Sequence, residues 1–318
     1  MTGRHFGIEI ETAGITKERA AKVLRLVGLQ VAIEGYNHTT RNHWKIVSDA
    51  SVQGGFEVVS PVLHGEDGLE AVRAAITALD DAGATINRTC GLHVHFDAQG
   101  LAAEEFKAIV RRYARFEQDI DRFMPPSRRA DANTFCHSIR AFAGSAPFNR
   151  ARTIQDLAQA QGSRYYKINL QSYQRHGTIE FRQHGGTVNA PKAVNWIRFL
   201  AAFIEASRQS AGTAEAQPQA PARLTGKMAQ VLDMISRESG ATTEALAEAT
   251  GWQRHTIRAA ITRIRQAGFQ VAARRTRAGS TYKAEAMAGA RLEADHLFRG
   301  IDTDVRRFYE YRAAVLAA

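Results

Sequence analysis

Apolar residues along the first two hundred positions follow two rhythms. Period-two stretches predict strands over residues 5–11, 44–47, 55–59, 91–97, 165–172 and 178–183, the last two joined through Gln174-Arg-His-Gly177 as a hairpin. Spacing by three and four, as in Leu69, Val72, Ile76 and Leu79, predicts helices over 17–27, 67–82 and 102–123. A fourth, over 191–206, carries proline near its first turn. Strands and helices mix without the repeated parallel crossover of a doubly wound fold, so the expected class is α+β on an antiparallel sheet.

The rhythm stops over 207–226, a stretch rich in Ala, Pro and Gln that reads as a linker. Helices are then predicted over 227–237, 243–249 and 253–266, followed by two short strands, 269–274 and 280–283, around Ala278-Gly279. That is helix–turn–helix order with a hairpin wing. Helical spacing returns over 295–315 through Leu297, Phe298, Ile301, Val305 and Phe308. The expected domains are 1–206, a linker 207–226, a winged helix–turn–helix unit 227–286, and a C-terminal helix within 287–318 that docks on the first domain.

An apolar content of 44% with 23% charged residues is that of a globular protein, and 318 residues exceed one average domain. Two cysteines, Cys90 and Cys136, are too few for a disulfide framework and form no Cys-x-x-Cys pair. No run of 18 apolar residues and no charged-then-apolar leader is present, so the expected location is the cytoplasm.

A strand sends residues i and i+2 to one face. Glu9 with Glu11, His93 with His95, and Glu180 with Arg182 are thereby expected on one surface, while Ile8, Ile10, Val94 and Phe181 enter a core. Paired carboxylates are costly unless a proton or cation lies between them. Glu9, Glu11, Glu57 and Glu180 with one imidazole suit Mg²⁺ or Mn²⁺. Either Glu-x-Glu or His-x-His alone is commonplace; their conjunction with Glu-Phe-Arg is far more specific. The chain has no Gly-x-x-x-x-Gly-Lys-Ser/Thr loop, so any nucleotide must be held another way.

The segments Phe6-Gly-Ile-Glu-Ile-Glu11, Trp44 with Asp49-x-Ser51 and Glu57-Val-Val-Ser-Pro61, Cys90-Gly-Leu-His-Val-His-Phe96, and Asn169 with Thr178-Ile-Glu-Phe-Arg182-Gln-His-Gly-Gly-Thr187 resemble the amidoligases, relatives of glutamine synthetase and glutamate–cysteine ligase. The resemblance covers roughly residues 4–206. It implies a partial barrel of antiparallel strands, ATP, two divalent ions, and amide formation between a carboxylate and an amine through an acyl phosphate. Carried over by position, Glu9, Glu11, Glu57, His93 and Glu180 resemble the metal ligands, and His95 and Arg182 the groups that meet phosphate, with Glu180 beside them in catalysis. Arginine suits the task because its guanidinium stays charged and binds phosphate bidentately. Arg164 and Asn169 are candidates for the nucleotide, the plainer reading of Asn169 being strand-edge hydrogen bonding; Arg164 is also a candidate for a substrate carboxylate, as is Arg140, whose plainer reading is a solvated side chain. Asp49 and Ser51 read equally as metal-shell residues or as turn chemistry. His184 continues the Glu180/Arg182 alternation toward the site or its rim.

The net charge of +10 is concentrated: residues 223–283 hold eleven Lys/Arg against four Asp/Glu. A concentrated basic surface attracts a polyanion, here double-stranded DNA. Arg254, His255 and Arg258 stand at the start of the third helix, where a recognition helix meets base edges, and Arg274, Arg275 and Arg277 sit on the wing. Trp252 reads as a core plug at the turn. The segment also resembles a small winged helix–turn–helix family of unassigned function, and a protein-docking winged helix is the competing use of such a fold. For the whole chain, the alternative to a ligase is a DNA-binding regulator whose ligase-like domain senses a nucleotide or metabolite without turnover.

Overall fold

The computed structural model describes residues 3–212, 226–236, 239–266, 271–276 and 279–284, which form two units. The expected C-terminal helix over 295–315 and Arg277 lie outside the described residues, as does the side chain of Arg275.

The first unit runs β1 (Phe6–Ala13), α1 (Lys17–Leu26), β2 (Val31–Ile33), β3 (Trp44–Val47), β4 (Gly55–Val59), α2 (Gly65–Asp81), β5 (Gly91–Asp97) and α3 (Ala103–Phe123). A 3-10 turn at Pro126–Arg128 follows, then α4 (Arg140–Ala143), α5 (Ala146–Arg150), α6 (Ile154–Gln161), β6 (Ile168–Asn169), α7 (Ser172–His176), β7 (Thr178–Gly185) and α8 (Ala190–Gly212). Seven strands form one sheet in the order β2-β3-β4-β1-β5-β7-β6. All neighbours are antiparallel except β2 and β3, which run parallel. The α+β class holds, but the sheet is mixed, because a three-residue strand too short for a period-two signature joins its edge.

Alternation decides which face is core. Ile8, Ile10, Leu92, Val94, Phe96, Ile179 and Phe181 are all at most 1% exposed. The helix α3 buries Phe106, Ile109, Val110, Tyr113, Phe116 and Ile120 at three- and four-residue spacing and packs with α8, which also lies against β5. Burying each such side chain is worth about 1.5–3 kcal/mol, so a one-residue register slip in β1 would be prohibitive. The register therefore fixes the other face as well.

Three expectations need correction. The strand expected over 165–172 is only Ile168–Asn169, because Ser172 Oγ donates to Asn169 O at 2.9 Å and closes the turn into α7. The hairpin tip is thus a short helix ending at left-handed Gly177. The last helix continues to Gly212, six residues into the expected linker, with Arg208 paired to Glu205 and Glu105. His184 does not reach the site face. A bulge between β5 and β7 sets Leu92 opposite His184 but Val94 opposite Phe181, so β7 carries one extra residue. Such a bulge re-aims the side chains beyond it, and His184 turns to the core side, 5.3 Å from the Trp196 ring.

The second unit runs α9 (Lys227–Ile235), β8 (Ala241–Thr242), α10 (Thr243–Thr250), α11 (Arg254–Gln266), β9 (Val271–Thr276) and β10 (Gly279–Ala284). Its sheet order is β8-β10-β9. Val231, Ile235, Leu246, Ile257, Ile261, Ile264 and Tyr282 make its core, with Trp252 packed against it. Thr242 caps α10 by accepting from Ala245 N, and Gly251 ends it in the left-handed region at φ 67°.

Candidate active site

Cross-strand register assembles the site in rows. Lys45, Val59, Glu9 and His93 stand side by side across β3, β4, β1 and β5; Val47, Glu57 and Glu11 form the next row. Gly7, His95, Glu180 and Asn169 form a third across β1, β5, β7 and β6. The five expected metal ligands are thereby brought onto one face.

They meet in two groups that share one imidazole. Glu9, His93 and Glu180 offer ligand atoms within 4.8 Å of one another, and so do Glu11, Glu57 and His93. His93 Nδ1 lies 3.0 Å from Glu9 Oε2 and 3.8 Å from Glu180 Oε1; its Nε2 lies 3.6 Å from Glu11 Oε1. The Gly91 N–H donates to Glu11 Oε2 at 2.5 Å, and Asn169 Nδ2 donates to Glu180 Oε2 at 2.6 Å. Each backbone or amide donor fixes one carboxylate oxygen and leaves the other toward the centre.

The charges are unequal. Burial pushes the Glu9 carboxyl up, but the hydrogen bond with His93 and the close imidazole of His95 outweigh it and hold Glu9 well below the usual carboxylate range. Burial likewise opposes ionisation of Glu180, and Arg182 and His95 overcome it. Glu57 goes the other way: burial, then the carboxylates of Glu9, Glu11 and Asp49, raise it well above the usual range. Glu57 is therefore the position that most needs a cation or a proton.

Of the expected phosphate-meeting residues, Arg182 Nη1 donates to Glu180 Oε1 at 2.5 Å. His95 Nδ1 is 3.0 Å from Thr178 Oγ1, while Nε2 is buried without a hydrogen bond, 3.4 Å from Glu9 Oε1 and 3.9 Å from Glu180 Oε1. Glu180 and Glu9 raise its pKa against burial. Asn169 joins the cluster, as above. Arg164 stacks on Tyr165, its guanidinium 5.2 Å from the ring centre, and makes no direct contact with the carboxylates. Arg140 is exposed on α4. Asp49 accepts from the backbone and hydroxyl of Ser51 at 2.7 and 2.6 Å, so this pair does turn chemistry while its charge still reaches Glu57.

Several further residues join the site without a signal in the motifs. A cavity of about 390 Å³ opens beside Glu9, Glu57 and His95 and is also lined by Lys45, His38 and His176. Lys45 is detectable by alternation, since it stands on the strand face of Val59 and Glu57. Gly91 is required by space: a Cβ there would lie 2.8 Å from His93 Nε2 and 3.1 Å from Arg128 Nη2. Behind β7, fully buried Lys167 pairs with Glu117 at 3.0 Å and Asp121 at 2.7 Å, and Gln183 donates to Asp121 and to Arg128 O. This network ties the turn carrying Arg128 to α3.

In the second unit Arg254, His255, Arg258 and Arg274 are exposed, and Arg254 pairs with Glu244 at 3.1 Å. Ile257, Ile261 and Ile264 turn inward, so α11 presents its basic side to solvent.

The family described as "Putative amidoligase enzyme" matches residues 2–204, and the chain belongs to it. A second family, described only as a protein of unknown function, matches residues 220–284. No curated protein matches the chain. Among the described residues, no helix is long and apolar enough to cross a membrane.

Proposed function

We propose that the chain is an ATP-dependent ligase, requiring Mg²⁺ or Mn²⁺, that joins a carboxylate to an amine through an acyl phosphate. The observation that carries the reading is the convergence of four carboxylates and two imidazoles with Arg182 on one sheet face. The donor set fits hard divalent ions: carboxylate oxygens predominate, and the charges that act most on Glu57 are the carboxylates of Glu9, Glu11 and Asp49. Glu9 and Glu180 would hold one ion and Glu11 and Glu57 the other, with His93 ligating one of them through its single lone pair and donating its N–H to a carboxylate of the other group. Bound ions would neutralise phosphate charge, which is what phosphoryl transfer chiefly demands.

The protein's own residues supply the rest. Arg182 reaches the phosphoryl oxygens as a charged donor, and His95 offers Nε2 beside it. Asn169 and Gly91 keep Glu180 and Glu11 oriented. A substrate carboxylate oxygen attacks the terminal phosphorus and ADP departs; the amine nitrogen then attacks the acyl carbon and inorganic phosphate leaves. Carboxylate substrate labelled with ¹⁸O tests this route. Label recovered in phosphate is the expected result; amide formed without transfer would exclude an acyl phosphate.

We further infer that the second unit binds double-stranded DNA. Its helix–strand–helix–helix–strand–strand order and the exposed Arg254, His255 and Arg258 at the start of α11 support this use. Retarded migration of duplex DNA, weakening steeply with salt, tests it.

A further inference from the structure

Arg128 is a buried cation to which the ligase chemistry above gives no task. It ends the 3-10 turn after α3 and is 3% exposed, as are Glu11, His93 and Glu180. Its Nη2 donates to Thr89 O at 3.0 Å, while Nε is buried with no hydrogen-bond partner. Its side chain also acts on the thiol of Cys136, which burial pushes up and Arg128 pulls back, but a thiol is a weak acceptor. A buried donor without an acceptor is costly, and a buried cation without a counter-ion more so.

The sheet makes room for this guanidinium beside the carboxylates. Glu57 stands next to Glu11 across β4 and β1, the Gly91 N–H donates to Glu11 Oε2, and Gly91 faces Gly185 across β5 and β7. Neither glycine fills the sheet face, and Arg128 lies over both. A Cβ on Gly91 would stand 3.1 Å from Arg128 Nη2 and 3.3 Å from Glu11 Oε2, and one on Gly185 would stand 3.9 Å from Arg128 Cγ. Glu11 does not pair with the cation it adjoins: Oε2 is taken by the Gly91 N–H at 2.5 Å, and Oε1 lies 3.6 Å from His93 Nε2. The neighbouring cations are matched, Arg182 by Glu180 and Lys167 by Glu117 and Asp121. Of these three, Arg128 alone has no carboxylate partner among the described residues.

We propose that Arg128, beside the Glu11/Glu57 ion group, is the cationic wall of an oxyanion site. The inference rests on the ligase reading above. A guanidinium meets two oxygens of one phosphoryl or carboxylate group at once, and the anion supplies the acceptor that Nε lacks. Two groups of the proposed reaction share this chemistry, the phosphoryl in transfer and the carboxylate that receives it. Arg182 stands at the Glu180 end of the cluster and Arg128 at the Glu11 end, so the two arginines bracket the carboxylates.

The full chain is titrated calorimetrically with inorganic phosphate and with acetate, in saturating Mn²⁺, for the parent, Arg128→Gln and Arg128→Lys. Mn²⁺ affinity is read separately by electron paramagnetic resonance. In Arg128→Gln the affinity for the bound anion is expected to fall about tenfold or more. In Arg128→Lys, which keeps the charge and loses the fork, it is expected to fall about threefold. Mn²⁺ affinity is expected to stay within about threefold of the parent, because a merely structural arginine would weaken ion and anion together. Loss for phosphate alone assigns the site to the phosphoryl group, and loss for acetate alone to the substrate carboxylate. Anion affinity within about twofold of the parent in both variants, binding of neither anion by the parent, or Mn²⁺ affinity falling by the same factor as the anion would overturn the site. Any of these in a parent that turns over ATP defeats this inference alone. A parent that binds Mn²⁺ and loses the anion in Arg128→Gln, yet releases no ADP in any substrate pool, defeats the ligase reading and leaves the anion site standing.

Discussion

His93 faces Glu9 across the β1–β5 ladder with Nδ1 3.0 Å from Oε2, and its other nitrogen points toward Glu11. One imidazole thus belongs to both candidate ion groups. His93→Ala is expected to weaken both Mn²⁺ sites by about 10–100-fold, whereas Glu180→Gln weakens one. Mn²⁺ titration followed by electron paramagnetic resonance separates the two results.

Glu57 supplies a pH test. Its folded pKa is raised by burial and by its carboxylate neighbours. The stability it contributes to the metal-free protein is present below the ordinary carboxylate range and lost as pH rises through the raised value. Metal-free Tm should fall over that window in the parent. Glu57→Gln should remove that part of the slope, with about 2–4 °C recovered per kcal/mol at the upper end. Mn²⁺ should restore the parent and stabilise Glu57→Gln less, through the remaining ion group alone, as thermal melts at several pH values will show.

Gly91→Ala forces a Cβ to within 2.8 Å of His93 Nε2. Overpacking of this kind costs about 1–3 kcal/mol. Metal affinity should fall with stability, because the displaced atoms are those of the cluster; denaturant unfolding with and without Mn²⁺ reads both.

Lys167 is fully buried between Glu117 and Asp121. Lys167→Met leaves two carboxylates in the interior without their cation and is expected to cost about 3–5 kcal/mol. Urea unfolding measures it. Joint replacement of Lys167, Glu117 and Asp121 by apolar residues should recover much of the loss.

Arg258→Ala should weaken duplex DNA binding, with a salt slope reduced by about 1 if it meets phosphate. ATP affinity should not change. Equal DNA affinity of variant and parent at fixed salt would remove α11 as the recognition helix.

Period-two alternation makes much of the site legible in the sequence alone. Glu9/Glu11 and His93/His95 share a face because Ile8, Ile10, Leu92 and Val94 must be buried, and burial fixes register. Alternation fails where the ladder does: it sends His184 to the wrong face because a bulge in β7 leaves no mark in the residue pattern. Residues 165–172 read as strand because Tyr165, Ile168 and Leu170 are apolar, yet side-chain bonds of Ser172 turn the chain into a helix. His176 and Arg128 lie in segments without periodicity, so only tertiary structure brings them near the cluster. The helix order of the second unit is readable from its caps, whereas the two-residue strand β8 is too short to see.

The most direct measurement is ADP release from ATP with Mg²⁺ or Mn²⁺ across pooled amino acids, polyamines and small peptides, for the parent, Glu11→Gln and Arg182→Ala. Glu11 sits in one candidate ion group, and Arg182 borders the other through Glu180. Substrate-stimulated ADP release in the parent, lost in both variants, is the predicted result. ATP bound tightly by the parent with no release in any pool, or release undiminished in both variants, would contradict the ligase account.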